Sequence, residues 1–256
     1  MLFLFAGSSS IRQFHHQRNG MHSFTAFPGA SIKGLLNDRS VTGHGAAIHH
    51  LAGTPGDRVL LVMLGNVDLD FTFYRHLLAG PDVSESDFLA LRVEIYRDFV
   101  TGLIDAYAAA GELKRICILG PQLTPLRGEE FFIVTAGHAG MRVASLRALA
   151  ERVDVSLAAR HRRTLRFNDM LQAGLPAHPL VRLFRIDQHM LDGRGGLQPE
   201  FYPASSRDHH AAQKATVRLW HRQLRDEVPV FDEDWPRLGP PGIAKPGPGE
   251  HRLAAE

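Results

Sequence analysis

Five short, nearly continuous apolar runs most constrain what this chain can fold into; they lie at residues 2–6, 23–27, 59–64, 115–119 and 181–186. Each is long enough for a strand and too short for a helix. Runs such as LLVML and ICIL lack the apolar–polar alternation of a half-exposed strand. They suit strands covered on both faces, as in a parallel sheet. The segments between them carry helical spacing. Residues 87–110 place Phe88, Leu91, Ile95, Phe99, Leu103 and Ala106 three to four apart. Ser84 or Ser86 is available to cap that helix and Gly111 to end it. Residues 140–171 carry Val143, Leu146, Leu149, Val153 and Leu157, and fit one long helix or two. A last amphipathic helix is expected over 207–224, stopped before Pro229. Strand alternating with helix, five times, is the pattern of a doubly wound α/β sheet.

From Pro236 the composition changes. PRLGPPGIAKPGPGE offers almost nothing to bury, so residues 236–256 read as a Pro/Gly-rich disordered tail behind a single α/β domain at 1–235.

Several function classes are excluded by what the chain lacks. One cysteine, Cys117, allows neither an internal disulfide nor a cysteine-based zinc site. It reads as a small residue buried in a strand. No apolar run approaches the roughly 20 residues of a membrane helix. The opening MLFLF lacks a basic leader, so no signal peptide is expected. A net charge of +2, with no basic stripe interleaved with aromatics, argues against nucleic acid. A cytoplasmic protein acting on a small molecule is the expectation, with a protein partner subunit as a further possibility. Arg160-His161-Arg162-Arg163 reads as a solvated basic helix face.

Fifteen histidines are the unusual count. With ordinary titration they would raise the charge steeply between about pH 7 and 5.5. His15-His16, His22, His44 and His49-His50 invite a metal reading, but adjacent pairs lack the i,i+4 spacing of a helical site and no HExxH occurs. No metal and no cofactor are expected.

In an open parallel sheet, chemistry collects where strands end and helices begin. The first strand is followed by Gly7-Ser8-Ser9-Ser10, the second by Pro28-Gly29-Ala30-Ser31, the third by Gly65-Asn66-Val67-Asp68. The stretch 120–140 follows the fourth strand as a long connecting segment. Beyond the fifth lies Arg207-Asp208-His209-His210. A serine at a strand-to-helix turn has its hydroxyl exposed beside free N–H groups, which suits either a nucleophile with its oxyanion or a plain anion cradle. A nucleophilic serine needs a base, and a histidine can serve if an acid fixes its tautomer. Asp208 with His209 or His210 is the Asp/His cluster available at this edge. The N–H of Gly29 and the side chain of Asn66 are possible oxyanion donors, and Ser8, Ser10 and Asp68 possible substrate contacts. On the bland side, Asp208 would merely cap the last helix and Asp68 would satisfy backbone N–H groups in a turn. On a helix, His209 and His210 would point about 100° apart, so only one could serve.

In order and spacing these blocks resemble the SGNH (GDSL-like) hydrolases, over roughly residues 2–224. LFLFAGSSSIRQF corresponds to the family's strand followed by Gly-Asp-Ser, placing Ser9 on the nucleophile. FPGASIKGL offers Gly29 for the oxyanion hole, Gly65-Asn66-Val67-Asp68 corresponds to Gly-x-Asn-Asp, and Asp208-His209-His210 to the closing Asp-x-x-His. The resemblance implies a flavodoxin-like three-layer sandwich with a five-stranded parallel sheet, and a serine-dependent esterase or acyltransferase needing no cofactor. The blocks also depart from the pattern. Ser8 replaces the aspartate before the nucleophile, Asn66 stands one residue early, and the last block reads Asp-x-His. Those departures leave two alternatives. One is a non-hydrolytic biosynthetic enzyme in which Asp68 holds an amine that displaces an anionic leaving group; the other is a non-catalytic subunit.

Overall fold

The computed structural model describes residues 1–15, 22–80 and 84–227. The tail read at 236–256, and the end of the domain expected over 1–235, lie outside them.

Five parallel strands form one sheet in the order β2-β1-β3-β4-β5. They are β1 (Leu2–Gly7), β2 (His22–Ala26), β3 (Arg58–Met63), β4 (Leu113–Leu119) and β5 (Val181–Phe184). Each expected strand is present, displaced by at most two residues. The helices are α1 (His44–Ala52), α2 (Phe73–Ala79), α3 (Glu85–Tyr107), α4 (Gly128–Ala139), α5 (Val143–Ala150), α6 (Leu157–Gly174) and α7 (Gln213–Leu224). A 3-10 turn, Ser9–Phe14, follows β1, and a π-helical turn, Asp68–Thr72, leads into α2.

The alternating faces of the strands explain the unbroken apolar runs. Leu4, Ala6, Leu60, Val62, Ile116 and Ile118 face a core built with α1, α3 and α6. Their neighbours Phe3, Phe5, Leu61, Met63, Cys117 and Leu119 face a second core closed by Ile11, Phe14 and Trp220. A sheet buried on both sides cannot carry a polar face. The result is the three-layer sandwich expected from the sequence.

Several local expectations are corrected. The stretch 128–139 is itself a helix rather than loop, while 140–171 takes the second of its two expected forms, a pair of helices, α5 and α6. In α3, capped by Ser84 as expected, the buried stripe takes Arg92 rather than Leu91, which is exposed. Arg92 is drawn inward by the buried Asp68 carboxylate at 2.8 Å. The last helix begins at Gln213, not at 207, so Asp208, His209 and His210 lie in irregular backbone ahead of it. None of the helices described is long and apolar enough to cross a membrane.

The strand order reverses between β1 and β3, because β2 lies on one side of β1 and β3 to β5 on the other. A crevice at the carboxyl edge forms at such a switch point, and ligands bind there in open α/β sheets. The turns after β1 and β3 hold Ser8-Ser9-Ser10 and Gly65-Asn66. Gly7 brings them together: a Cβ there would sit 2.2 Å from the Met63 carbonyl oxygen.

Candidate active site

Ser9 is the first residue of the 3-10 turn after β1, with Ser8 as its extended N-cap. Among the described residues the Ser9 N–H has no acceptor. Its hydroxyl lies 2.8 Å from His210 Nε2, and His210 Nδ1 lies 2.9 Å from Asp208 Oδ1. The same carboxylate oxygen accepts the backbone N–H of His210 at 2.9 Å. With Nδ1–H donated to Asp208, Nε2 is left to accept the serine hydroxyl proton. The bond to the His210 side chain holds the Asp208 carboxyl below its ordinary range. A serine, a histidine and a carboxylate in this order can take up and return a proton at the serine oxygen.

His209 does not compete for that position. Its ring packs at a tilt 3.8 Å from the His210 ring and 4.5 Å from that of His138, and the His138 ring stacks 4.6 Å from Phe71. Burial, with His210 and His138 beside it, pushes the His209 imidazole down to about 3. The expectation of two imidazoles diverging on a helix is therefore corrected: in irregular backbone both sit at the site, one bonded to Ser9 and the other packed behind it. The helix-cap reading of Asp208 is corrected as well, since Ala212 occupies the N-cap of α7. Asp208, His209 and His210 present ligand atoms within 4.8 Å of one another. Both His210 ring nitrogens are already engaged, Nδ1 by Asp208 and Nε2 by Ser9.

The other expected site residues divide clearly. Gly29 is exposed in the turn after β2, with φ of 76°, and that turn is tied to the serine turn by the 2.8 Å bond from Phe27 N–H to Gly7 C=O. Ser10 lines a cavity beside Ser9. Ser8 is 1 % exposed, and its buried hydroxyl has no partner among the described residues. Asn66 closes a clasp between two loops: Nδ2 donates to the Gln122 carbonyl at 2.9 Å and Oδ1 accepts the Gln122 N–H at 3.3 Å. Asp68 has no exposed surface. Its oxygens accept from Arg92 Nε at 2.8 Å and from the Ile32 N–H at 2.7 Å. Asp68 is thus engaged by Arg92 and the Ile32 N–H and presents no surface to the crevice.

Some participants had no sequence signal. Gln13 and Gln122 join beneath the serine turn at 3.1 Å, and Gln13 Nε2 also donates to the Ser10 carbonyl at 2.9 Å. They meet only because the loops after β1 and β4 converge. Asp70 is buried beside the site, and desolvation pushes its carboxyl up to about 7 despite Arg160, Arg163, Asn66 and His210. The further histidines are not mere surface residues either. His44 bonds to the Ser31 carbonyl and Thr42, His161 to the Thr124 carbonyl, and His22 stacks on Phe3.

No family model and no curated protein sequence matches the chain. Among solved structures it resembles a protein described as a platelet activating factor from Streptococcus pneumonia, with 16% identity and a TM-score of 0.54 over 88% of this chain and 83% of that one. That likeness is one of fold. A protein described as an SGNH hydrolase from Slackia heliotrinireducens aligns at 16% identity and a TM-score of 0.47, over 88% and 97% of the two chains. An acetylxylan esterase from Geobacillus stearothermophilus aligns at 13% identity and 0.34, over 87% and 93%. These two superpose too loosely to add to the first.

Proposed function

We propose that the protein is a serine-dependent ester hydrolase of the SGNH type, acting on a small polar ester. The observation that carries this reading is the continuous hydrogen-bonded chain Ser9–His210–Asp208 at the carboxyl edge of the sheet. The order of the sequence blocks and the shared α/β fold support it.

In this reading His210 Nε2 removes the proton from Ser9 Oγ as the oxygen attacks the ester carbonyl carbon. The carbonyl π electrons move to oxygen, and that oxyanion is received by the N–H groups of Ser9 and Gly29. Asn66 supports them by fixing the neighbouring loop. As the tetrahedral intermediate collapses, the C–O bond to the alcohol breaks and His210 gives its proton to the departing oxygen. Water, deprotonated by the same imidazole, then attacks the acyl-serine and releases the acid. An alcohol in place of that water would make the reaction an acyl transfer. Asp208 holds the imidazole in one tautomer and balances its transient charge. None of these steps uses a metal or an organic cofactor. A free, buried Cys117 fits a reducing compartment, and the cytoplasm is the location we propose.

The test is hydrolysis of p-nitrophenyl acetate and butyrate by the wild type, Ser9→Ala and His210→Ala. Turnover by the wild type with loss of about 10³-fold or more in both variants is expected. A Ser9→Ala protein that turns over at the wild-type rate would remove the covalent mechanism.

A further inference from the structure

Beside Ser9 and His210 a cavity of about 500 Å³ opens between the 3-10 turn after β1 and the first turn of α7. That is the size of a small-molecule site. Its charge is one-sided. Arg12 and Lys214 both line it, and neither forms an ion pair among the described residues. Among the described residues the one carboxylate in its wall is Asp208, whose Oδ1 is already committed to the ring and backbone N–H of His210. Exposed cations elsewhere are ion-paired in part, as with Arg207 and Glu130, Arg97 and Asp98, and Lys114 and Asp57; Arg12 and Lys214 are set apart by lining one cavity together. The start of α7 lines the same space, and Ala212 at its N-cap supplies no side-chain acceptor. The positive end of that helix adds to the two cations.

We propose that this cavity takes an anionic group, a carboxylate or a phosphate, carried on the substrate away from the scissile carbonyl. Arg12 and Lys214 are then the residues that determine specificity. The placement has a mechanistic consequence: a charge held there would anchor the ester while its carbonyl stays beside Ser9 Oγ. Remote binding of this kind orients the reacting bond. The proposal rests on the hydrolase reading for its chemistry, but not for its electrostatics.

The experiment compares p-nitrophenyl hemisuccinate with p-nitrophenyl butyrate, which share chain length and leaving group and differ in the terminal carboxylate. At low salt the wild type is expected to favour the hemisuccinate by about tenfold in kcat/KM, with the preference shrinking as salt shortens the reach of the field. Arg12→Gln and Lys214→Gln should each lower that ratio several-fold, and Arg12→Glu should invert it. Inhibition of butyrate hydrolysis by succinate and by phenyl phosphate separates the two anion classes. A second arm measures succinate binding to Ser9→Ala by calorimetry, with and without Lys214→Gln. Ester turnover with no charge preference, or a ratio unmoved by the substitutions, would overturn the anion site and leave the hydrolase reading intact. Succinate binding lost in Lys214→Gln, without turnover of any ester, would uphold the site and overturn the hydrolase reading. Absence of both binding and preference would overturn the site outright.

Discussion

His210 Nε2 and Ser9 Oγ stand 2.8 Å apart although 201 positions separate them in the chain. Two features of the fold bring this about. The sheet order delivers Ser9 to the switch point beside β3, and the segment before α7 returns across the same edge. Asp208, two residues ahead of His210, then bonds both its backbone N–H and its ring.

Asp208→Asn should preserve this geometry and disturb the tautomer. An amide in place of the carboxylate no longer fixes the proton on Nδ1 or balances the imidazolium. Activity on a neutral ester should fall by roughly 10²–10⁴-fold in kcat with little change in KM. Circular dichroism should show the fold intact, because Asp208 is half-exposed and anchors no core residue.

Asp68 and Arg92 form a buried ion pair, so removing one partner strands the other. Asp68→Ala should cost roughly 3–5 kcal/mol of stability, read from the midpoint of urea unfolding. The Ile32 N–H loses its acceptor in the same variant. The folded fraction should keep the wild-type KM. A raised KM with unchanged stability would return Asp68 to the substrate site.

Asp70 titrates in the opposite sense from a paired surface carboxylate. Burial raises it to about 7 in the folded state, against about 3.8 unfolded. Between those values the native protein holds the extra proton, so Asp70's contribution to stability declines as pH rises and its penalty is complete above about 7. Asp70→Asn should therefore stabilise the protein at pH 8 by roughly 2–4 kcal/mol and much less at pH 4.5. Melting temperatures at the two pH values decide the matter. A gain that is independent of pH would contradict the assignment.

His209 acts in the other direction. Its folded pKa of about 3 lies below the unfolded value of 6.5, so the stability tied to its neutral form is present above pH 6.5 and is lost as pH falls toward 3. His209→Phe keeps a ring against His138 and His210 and removes the titration. Between pH 7 and 5 the wild type should lose on the order of 1 kcal/mol more than this variant, allowing for partial exposure. Burial lowers His22, His44, His49, His138 and His161 as well, so acid sensitivity should be broad.

The strands were legible in the sequence because a parallel sheet buries both faces and leaves unbroken apolar runs. Ser9 was legible because the end of β1 is a place where chemistry collects, and Asp208 and His210 because an acid and an imidazole lay near each other at the same edge. The start of α7 was misplaced, since residues 207–212 contain nothing that breaks a helix; their irregular path follows from the bonds of Asp208 and from Ala212 N–H to Phe201 C=O. Asp68 read as a site residue because it closes a strand-end block. Its partner Arg92 lies on a helix whose periodicity pointed to Leu91 instead, so the pairing that buries it could not be seen along the chain. The Gln13–Gln122 contact and the ring contacts through His138 are meetings between distant segments, which no local pattern marks. The fifteen histidines looked like a surface charge reserve. Several are buried and neutral, which turns their count into a statement about acid stability.

The most direct measurement is the site of modification by a fluorophosphonate, mapped by peptide mass spectrometry on the wild type and on His210→Ala. A single phosphonyl adduct on Ser9, abolished in His210→Ala, is the expected result. Quantitative recovery of the unmodified Ser9 peptide from folded wild type, or labelling of Ser8 or Ser10 in its place, would contradict the assignment of Ser9 as the nucleophile.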